Sequence, residues 1–162
     1  MTIIDELTDV LTEEYDIYGH LIDAARRKKN CVIKNRLAEL NAVSNDENAA
    51  ASRLSKLDRR RASLARDMAT VLNIKDPDLT LMTIADNLKD GSERERLSGL
   101  AALIRAKISE LRALNNENRA LIENALQYIE FSINVIRGAV GGCMSADGRV
   151  ETESQCLLDV RN

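Results

Sequence analysis

The sequence predicts an all-α fold, an elongated antiparallel helical bundle or coiled coil of three long helices plus one short helix. Three observations predict it. The 162 residues include one proline and seven glycines, so almost nothing breaks a helix. With no tryptophan, one phenylalanine and three tyrosines, aliphatic and small residues must supply the packing, which suits helices laid along one another. Apolar residues also recur in steps of three and four over long stretches, most clearly from Leu100 to Arg137.

The length suits one domain. Charged residues make up 30% of the chain with a net charge of −3, so the charges are mixed, as on a solvated helix surface rather than a nucleic-acid binder. Ile3 and Ile4 are followed at once by Asp5 and Glu6, which is not a signal peptide. No stretch approaches the ~20 apolar residues that span a bilayer. A cytoplasmic protein without stable membrane insertion is expected. Cys31, Cys143 and Cys156 are odd in number and far apart, which argues against a disulfide framework and a metal site.

The first helix is predicted from Ile3 to Lys34, with Ile4, Leu7, Leu11, Tyr15, Tyr18, Ile22, Ala25 and Ile33 as its stripe. Leu11, Ile22 and Ile33 recur every eleven residues, the period of a nearly straight stripe. Gly19 lies inside it at a cost of about 1 kcal/mol. The basic run Arg26, Arg27, Lys28, Lys29 falls toward the helix end, where cations suit the macrodipole. Lys34-Asn35 reads as the turn, with Asn35 capping the second helix.

The second helix is predicted from Arg36 to Leu72. Leu40, Val43, Glu47, Ala50, Leu54, Leu57, Arg61, Leu64, Met68 and Val71 alternate by three and four without a slip. That is about five heptads and about 55 Å of helix. Glu47 and Arg61 occupy seam positions two heptads apart, so each reaches solvent, snorkelling at an open seam, or a partner on another helix.

Asn73 to Lys75 connect to a short helix over Pro77 to Leu88, capped by Asp76 with Pro77 in its first position. Lys89-Asp90-Gly91 ends it, and Ser92 with Glu95 forms a capping box for the last helix, which is expected to stop at Gly138. The predicted organisation is a helical bundle over 1–138 and a flexible tail over 139–162, where glycine and serine replace periodicity and Cys156, Leu157 and Leu158 form one apolar island.

In the last helix, Ile108, Asn115, Ile122, Ile129 and Ile136 take heptad position a, and Ile104, Leu111, Asn118, Ala125 and Ser132 take d. Leu114, Leu121, Tyr128 and Val135 flank this seam on one side, Leu126 and Ile133 on the other. The face is wider than a two-helix seam needs and can serve more than one neighbour. The stretch from Leu100 to Leu111 reads as core. The candidate partner-binding face is Leu114, Asn118, Leu121, Ile122, Ala125, Ile129, Ile133 and Ile136. Asparagines within a seam fix register, or bond a partner helix.

Catalytic features are not evident. His20 has Ile17 three residues earlier, not the carboxylate of a di-iron bundle, and no glycine-rich loop follows a strand. Cys143 has one histidine in the whole chain to activate it. Arg59, Arg60 and Arg61 point around a helix and are diluted by Asp58 and Asp67, so no nucleic acid is expected. Neither cofactor nor metal is expected.

Asn115-x-x-Asn118-x-x-Leu121-Ile122, preceded by Leu114 and followed by Leu126, resembles the signature of flagellar type III export chaperones of the FlgN family. Glu14, Tyr18, Leu21, Ile22, Lys28 and Lys29 resemble the family's opening pattern. Leu40, Glu47, Leu54, Leu57 and Arg61 resemble its second-helix pattern. The resemblance implies a non-catalytic cytoplasmic chaperone. Such a protein binds the C-terminal segments of the two hook–filament junction proteins, prevents their premature association and delivers them to the export gate. A wide apolar stripe on a long helix suits an amphipathic partner segment that orders on binding. Ala146-Asp147-Gly148 is similar to a short motif of the family, where a preceding aromatic is associated with the gate. Met144 stands here instead, making Met144, Asp147 and Gly148 the expected gate contact. A rival expectation is a homo-oligomeric scaffold or tether that dimerises through Leu40 to Val71.

Overall fold

The computed structural model describes residues 2–74 and 79–142, with side chains to residue 138. Among the described residues four helices occur in order: α1 (Ile3–Ile33), α2 (Leu37–Val71), α3 (Leu81–Asp86) and α4 (Gly91–Gly142). No strand occurs among the described residues. The chain forms two compact units, Met1–Leu121 and Ile122–Asn162, and α4 contributes to both.

Local chemistry sets the helix ends, with some departures from expectation. At the start of α1, the Thr2 hydroxyl accepts from the Asp5 N–H while the Asp5 carboxylate accepts from the Thr2 N–H at 2.9 Å. Asn35 does not cap α2. It lies at φ 53° and terminates α1, with the Arg36 N–H reaching back to the Cys31 carbonyl at 2.9 Å. The same device ends α2, where Asn73 is at φ 53° and the Ile74 N–H bonds the Ala69 carbonyl. Asparagine is among the few residues that tolerate this left-handed conformation.

The short helix is shorter than predicted and begins at Leu81, because the Thr80 hydroxyl accepts from the Thr83 N–H at 3.1 Å. Asp76 and Pro77 lie outside the described residues. α4 begins at Gly91 rather than through a Ser92 box, as the Asp90 carboxylate takes the Ser92 N–H at 2.8 Å. Arg94 donates to the carbonyls of Ala85, Asp86 and Leu88, tying the end of α3 to the start of α4. α4 also continues past Gly138, whose backbone is not left-handed, to Gly142.

In the first unit α1 has neighbours on two sides. α2 runs antiparallel to it, with Arg27 on Asp46, Arg61 on Glu14 and Arg60 on Glu6. Residues 91–121 of α4 run parallel to it, with Arg26 on Glu110, Lys29 on Glu117 and Asn118 on Ala25. Having two neighbours explains why α1 buries more than its expected stripe: Thr8, Val10, Glu14, Ile17, Leu21, Ala24 and Cys31 are buried beside Ile4, Leu7, Leu11, Ile22 and Ala25. Ile33, expected in the stripe, is exposed at the last turn.

The main core gathers Leu7, Val10 and Leu11 of α1, Leu64 and Met68 of α2, Ile84 and Ala85 of α3, Leu88, and Leu97 and Ile104 of α4. A smaller cluster joins Ala24, Cys31 and Val43. Of the α2 seam, Val43, Leu64 and Met68 are buried, the other positions are half-buried, and Val71 is 68% exposed.

The basic run works across helices, not on the macrodipole, since the last turn of α1 contains no basic residue. Arg26 and Lys29, three apart, reach Glu110 and Glu117 of α4 at 2.6 and 2.8 Å. Arg27 and Lys28, on the adjoining face, reach Asp46 and Glu47 of α2. Both seam charges of α2 thus find partners on α1 instead of snorkelling. Lys28–Glu47 is mostly buried, and Arg61 donates to Glu14 at 3.0 Å and also to Asp58.

Glu14 is buried, and desolvation lifts its carboxyl above the ordinary 4.5, outweighing the pull of Arg61. Desolvation lowers Arg61, but the Glu14 and Asp58 carboxylates more than offset it.

Two outcomes are expected. Folded Glu14 takes up its proton at higher pH than unfolded Glu14, so its contribution to stability rises as pH falls through the raised value and levels off below 4.5. Glu14→Gln removes this rise in thermal melts run as a pH series. Arg61→Met costs about 1–3 kcal/mol in urea unfolding, less than a fully buried pair because Arg61 is partly exposed, and Glu14→Leu combined with Arg61→Met recovers most of it.

Candidate functional site

The surface predicted to bind a partner falls in both units. In the first, Leu114 and Leu121 are half-buried, and the two asparagines separate: Asn115 is exposed and Asn118 is buried. Asn118 Nδ2 donates to the Ala25 carbonyl of α1 at 2.8 Å. Its Oδ1 is buried with no hydrogen-bond partner among the described residues. Asn118 therefore acts between α1 and α4, and its amide is turned inward, away from any partner approaching from solvent. A polar group at one seam position fixes register at a cost in stability.

In the second unit, Ile122 is half-buried and Ala125, Ile129, Ile133 and Ile136 are exposed. Leu126 is exposed with them, and Ile122, Leu126, Ile129, Ile133 and Ile136 succeed one another in steps of four and three. At about 100° per residue they form one stripe about 80° wide. Tyr128 and Val135, read from the sequence as flanks, are exposed as well, and so is Phe131, which periodicity did not single out because it lies off the heptad seam. Exposed large apolar side chains in this number are more than the single ones that any protein surface carries.

Among the described residues, the remaining candidate side chains lie in separate grooves. His20 is exposed at the rim of a groove of about 570 Å³ between α1 and α2, beside Asp23, Arg27, Asp46 and Glu47. A second groove of about 470 Å³ beside Glu14 and Arg61 is lined mainly by Leu11, Ala65, Leu81, Ile104 and Ile108. Among the described residues no group of three or more histidine, cysteine, aspartate or glutamate side chains could hold a metal ion. No described helix is long and apolar enough to cross a membrane. Met144, Asp147, Gly148 and Cys143 lie outside the described residues.

Against this geometry, the FlgN protein family model matches residues 1–151. The chain belongs to that family of flagellar export chaperones. It matches no curated protein and no solved structure.

The exposure of the stripe has a measurable consequence. Ile129→Asp changes unfolding free energy by about 0.5 kcal/mol or less, as at other exposed positions. Ile104→Asp, which buries an unpaired carboxylate, abolishes cooperative unfolding of the first unit. Far-UV circular dichroism and urea melts of the two variants check this.

Proposed function

We propose that this FlgN-family chain is a cytoplasmic chaperone that docks the C-terminal amphipathic segments of the hook–filament junction proteins on residues 122–136 of α4. It keeps them from premature association and hands them to the flagellar type III export gate. The supporting observation is the run of exposed apolar side chains at Leu126, Ile129, Ile133 and Ile136, which continues a helical stripe with Ile122 and Ala125. A stripe of this spacing fits an amphipathic helix through i, i+3, i+4 and i+7 anchors. A partner that is unstructured when free must order on binding, which lowers affinity per area and favours release at the gate. In this reading Asn118 positions α4 against α1, and Leu114 and Leu121 support the same helix. The gate contact is assigned to Met144, Asp147 and Gly148 on family resemblance.

Calorimetry with each full-length junction protein tests the proposal. Wild type binds at least one of them, and Ile129→Asp weakens that binding by about tenfold or more while helicity is kept. A wild-type chain that binds neither, or a variant that binds as tightly as wild type, removes the proposal.

A further inference from the structure

We infer that Gly19 is a socket in α1 for the Lys107 ammonium of α4, and that socket and ammonium together pin α4 to α1.

A glycine inside a helix weakens it, because it gives up more backbone freedom than any other residue and adds no packing. α4 supplies the compensation at Gly19. Lys107 Nζ lies 3.8 Å from the centroid of the Tyr15 ring. A Cβ placed on Gly19 would stand 2.8 Å from the same nitrogen, closer than such atoms come in proteins. The ammonium therefore occupies the space that a side chain at residue 19 would take. Tyr15 and Gly19 are four residues apart on α1 and share one face, so ring and socket meet the same cation.

Lysine suits this place. The face of an aromatic ring is the negative end of its quadrupole and attracts a cation. Lys107, Tyr15 and Gly19 are all half-buried. Partial burial strengthens the attraction relative to an open surface, and it spares the ammonium the cost of complete desolvation. The lysine stem lies against the seam while its charge keeps some water.

The socket also distinguishes one position along the seam from the next. Leucine and isoleucine repeats look alike from heptad to heptad, and a slide of α4 by one turn, about 5.4 Å, would take the ammonium off the ring. Gly19 is the one glycine of α1, so the socket occurs once. Arg26 with Glu110, Lys29 with Glu117 and Asn118 with the Ala25 carbonyl hold the same pair of helices farther along α1. Gly99 of α4 is the contrast: nothing lies within 4 Å of a Cβ placed there.

Urea unfolding of the full chain tests the inference with Gly19→Ala, Gly99→Ala, Lys107→Met and the double variant Gly19→Ala with Lys107→Met. Alanine for glycine in an unobstructed helix interior raises the folding equilibrium constant about fivefold. Gly99→Ala shows that gain. Gly19→Ala shows less than about twofold, because Lys107 has to leave the socket. Methionine keeps most of the stem and the helix propensity but removes the ammonium, so Gly19→Ala regains the full gain of about fivefold when Lys107→Met is present. Lys107→Met alone lowers the constant about two- to fivefold. Nuclear magnetic resonance supplies a second readout. The Tyr15 ring shifts the Lys107 ε-methylene protons upfield in the wild-type chain, and the shift is lost in Gly19→Ala and in Tyr15→Leu.

An effect of Gly19→Ala that is the same with and without the Lys107 ammonium, whatever its sign, overturns the inference. Lys107 ε-methylene protons at ordinary lysine positions in the wild-type chain overturn it as well.

Discussion

The first unit depends on α1 having two neighbours at once. A helix with one neighbour buries a single stripe and leaves the rest polar. α1 instead buries Leu7 and Leu11 together with Val10, Ile17 and Leu21, so α2 and the 91–121 stretch of α4 can both pack on it. The run from Arg26 to Lys29 obeys the same division. Residues three apart share one face and meet α4, and the two between them meet α2. Four consecutive cations that would be an ordinary basic patch on an isolated helix become cross-links in two directions. Arg26 and Arg27 are exposed, so their pairs add little energy, while the more enclosed Lys28–Glu47 pair adds specificity.

Polar groups inside the seams set registry more than strength. Arg61 with Glu14, Lys28 with Glu47, and Asn118 with the Ala25 carbonyl each join α1 to another helix at a position where a slip of one turn would strand a buried charge or amide. Coiled-coil patterns of leucine and isoleucine tolerate such slips, because every heptad looks alike. The cost is visible in Glu14, whose carboxyl is held above its ordinary value by burial despite Arg61. It is visible again in Asn118 Oδ1, which is buried without a hydrogen-bond partner among the described residues.

α4 changes character along its length without a change in composition. Leu97, Ala101 and Ile104 are buried, whereas Ile129, Val135 and Ile136 of the second unit are exposed, although all are aliphatic residues on one helix. Apolar residues on a helix record that some neighbour is expected, and not whether that neighbour belongs to the same chain. An export chaperone has this arrangement for a physical reason. Under the function proposed above, a cargo with an apolar segment that water would drive to self-associate finds in a matching apolar strip the reversible alternative.

The helices themselves, the turn near Asn35, the seam of α2 and the family likeness could all be read from the sequence, because each depends on residues close in the chain: helical periods, the scarcity of proline, and short motifs. The candidate surface was partly legible for the same reason, since the stripe through Ile122, Ile129 and Ile136 is periodic. Pairing across helices was not legible. Spacing placed Asn115 and Asn118 together in one seam, but only Asn118 is buried, because α1 brings a backbone carbonyl to that position alone. Spacing likewise could not say that Glu47 and Arg61 would meet Lys28 and Glu14, or that Val71 and Ile33 would face water. Local sequence determines which face of a helix is apolar; only the tertiary structure decides what covers that face, because burial depends on the neighbours that the rest of the chain supplies.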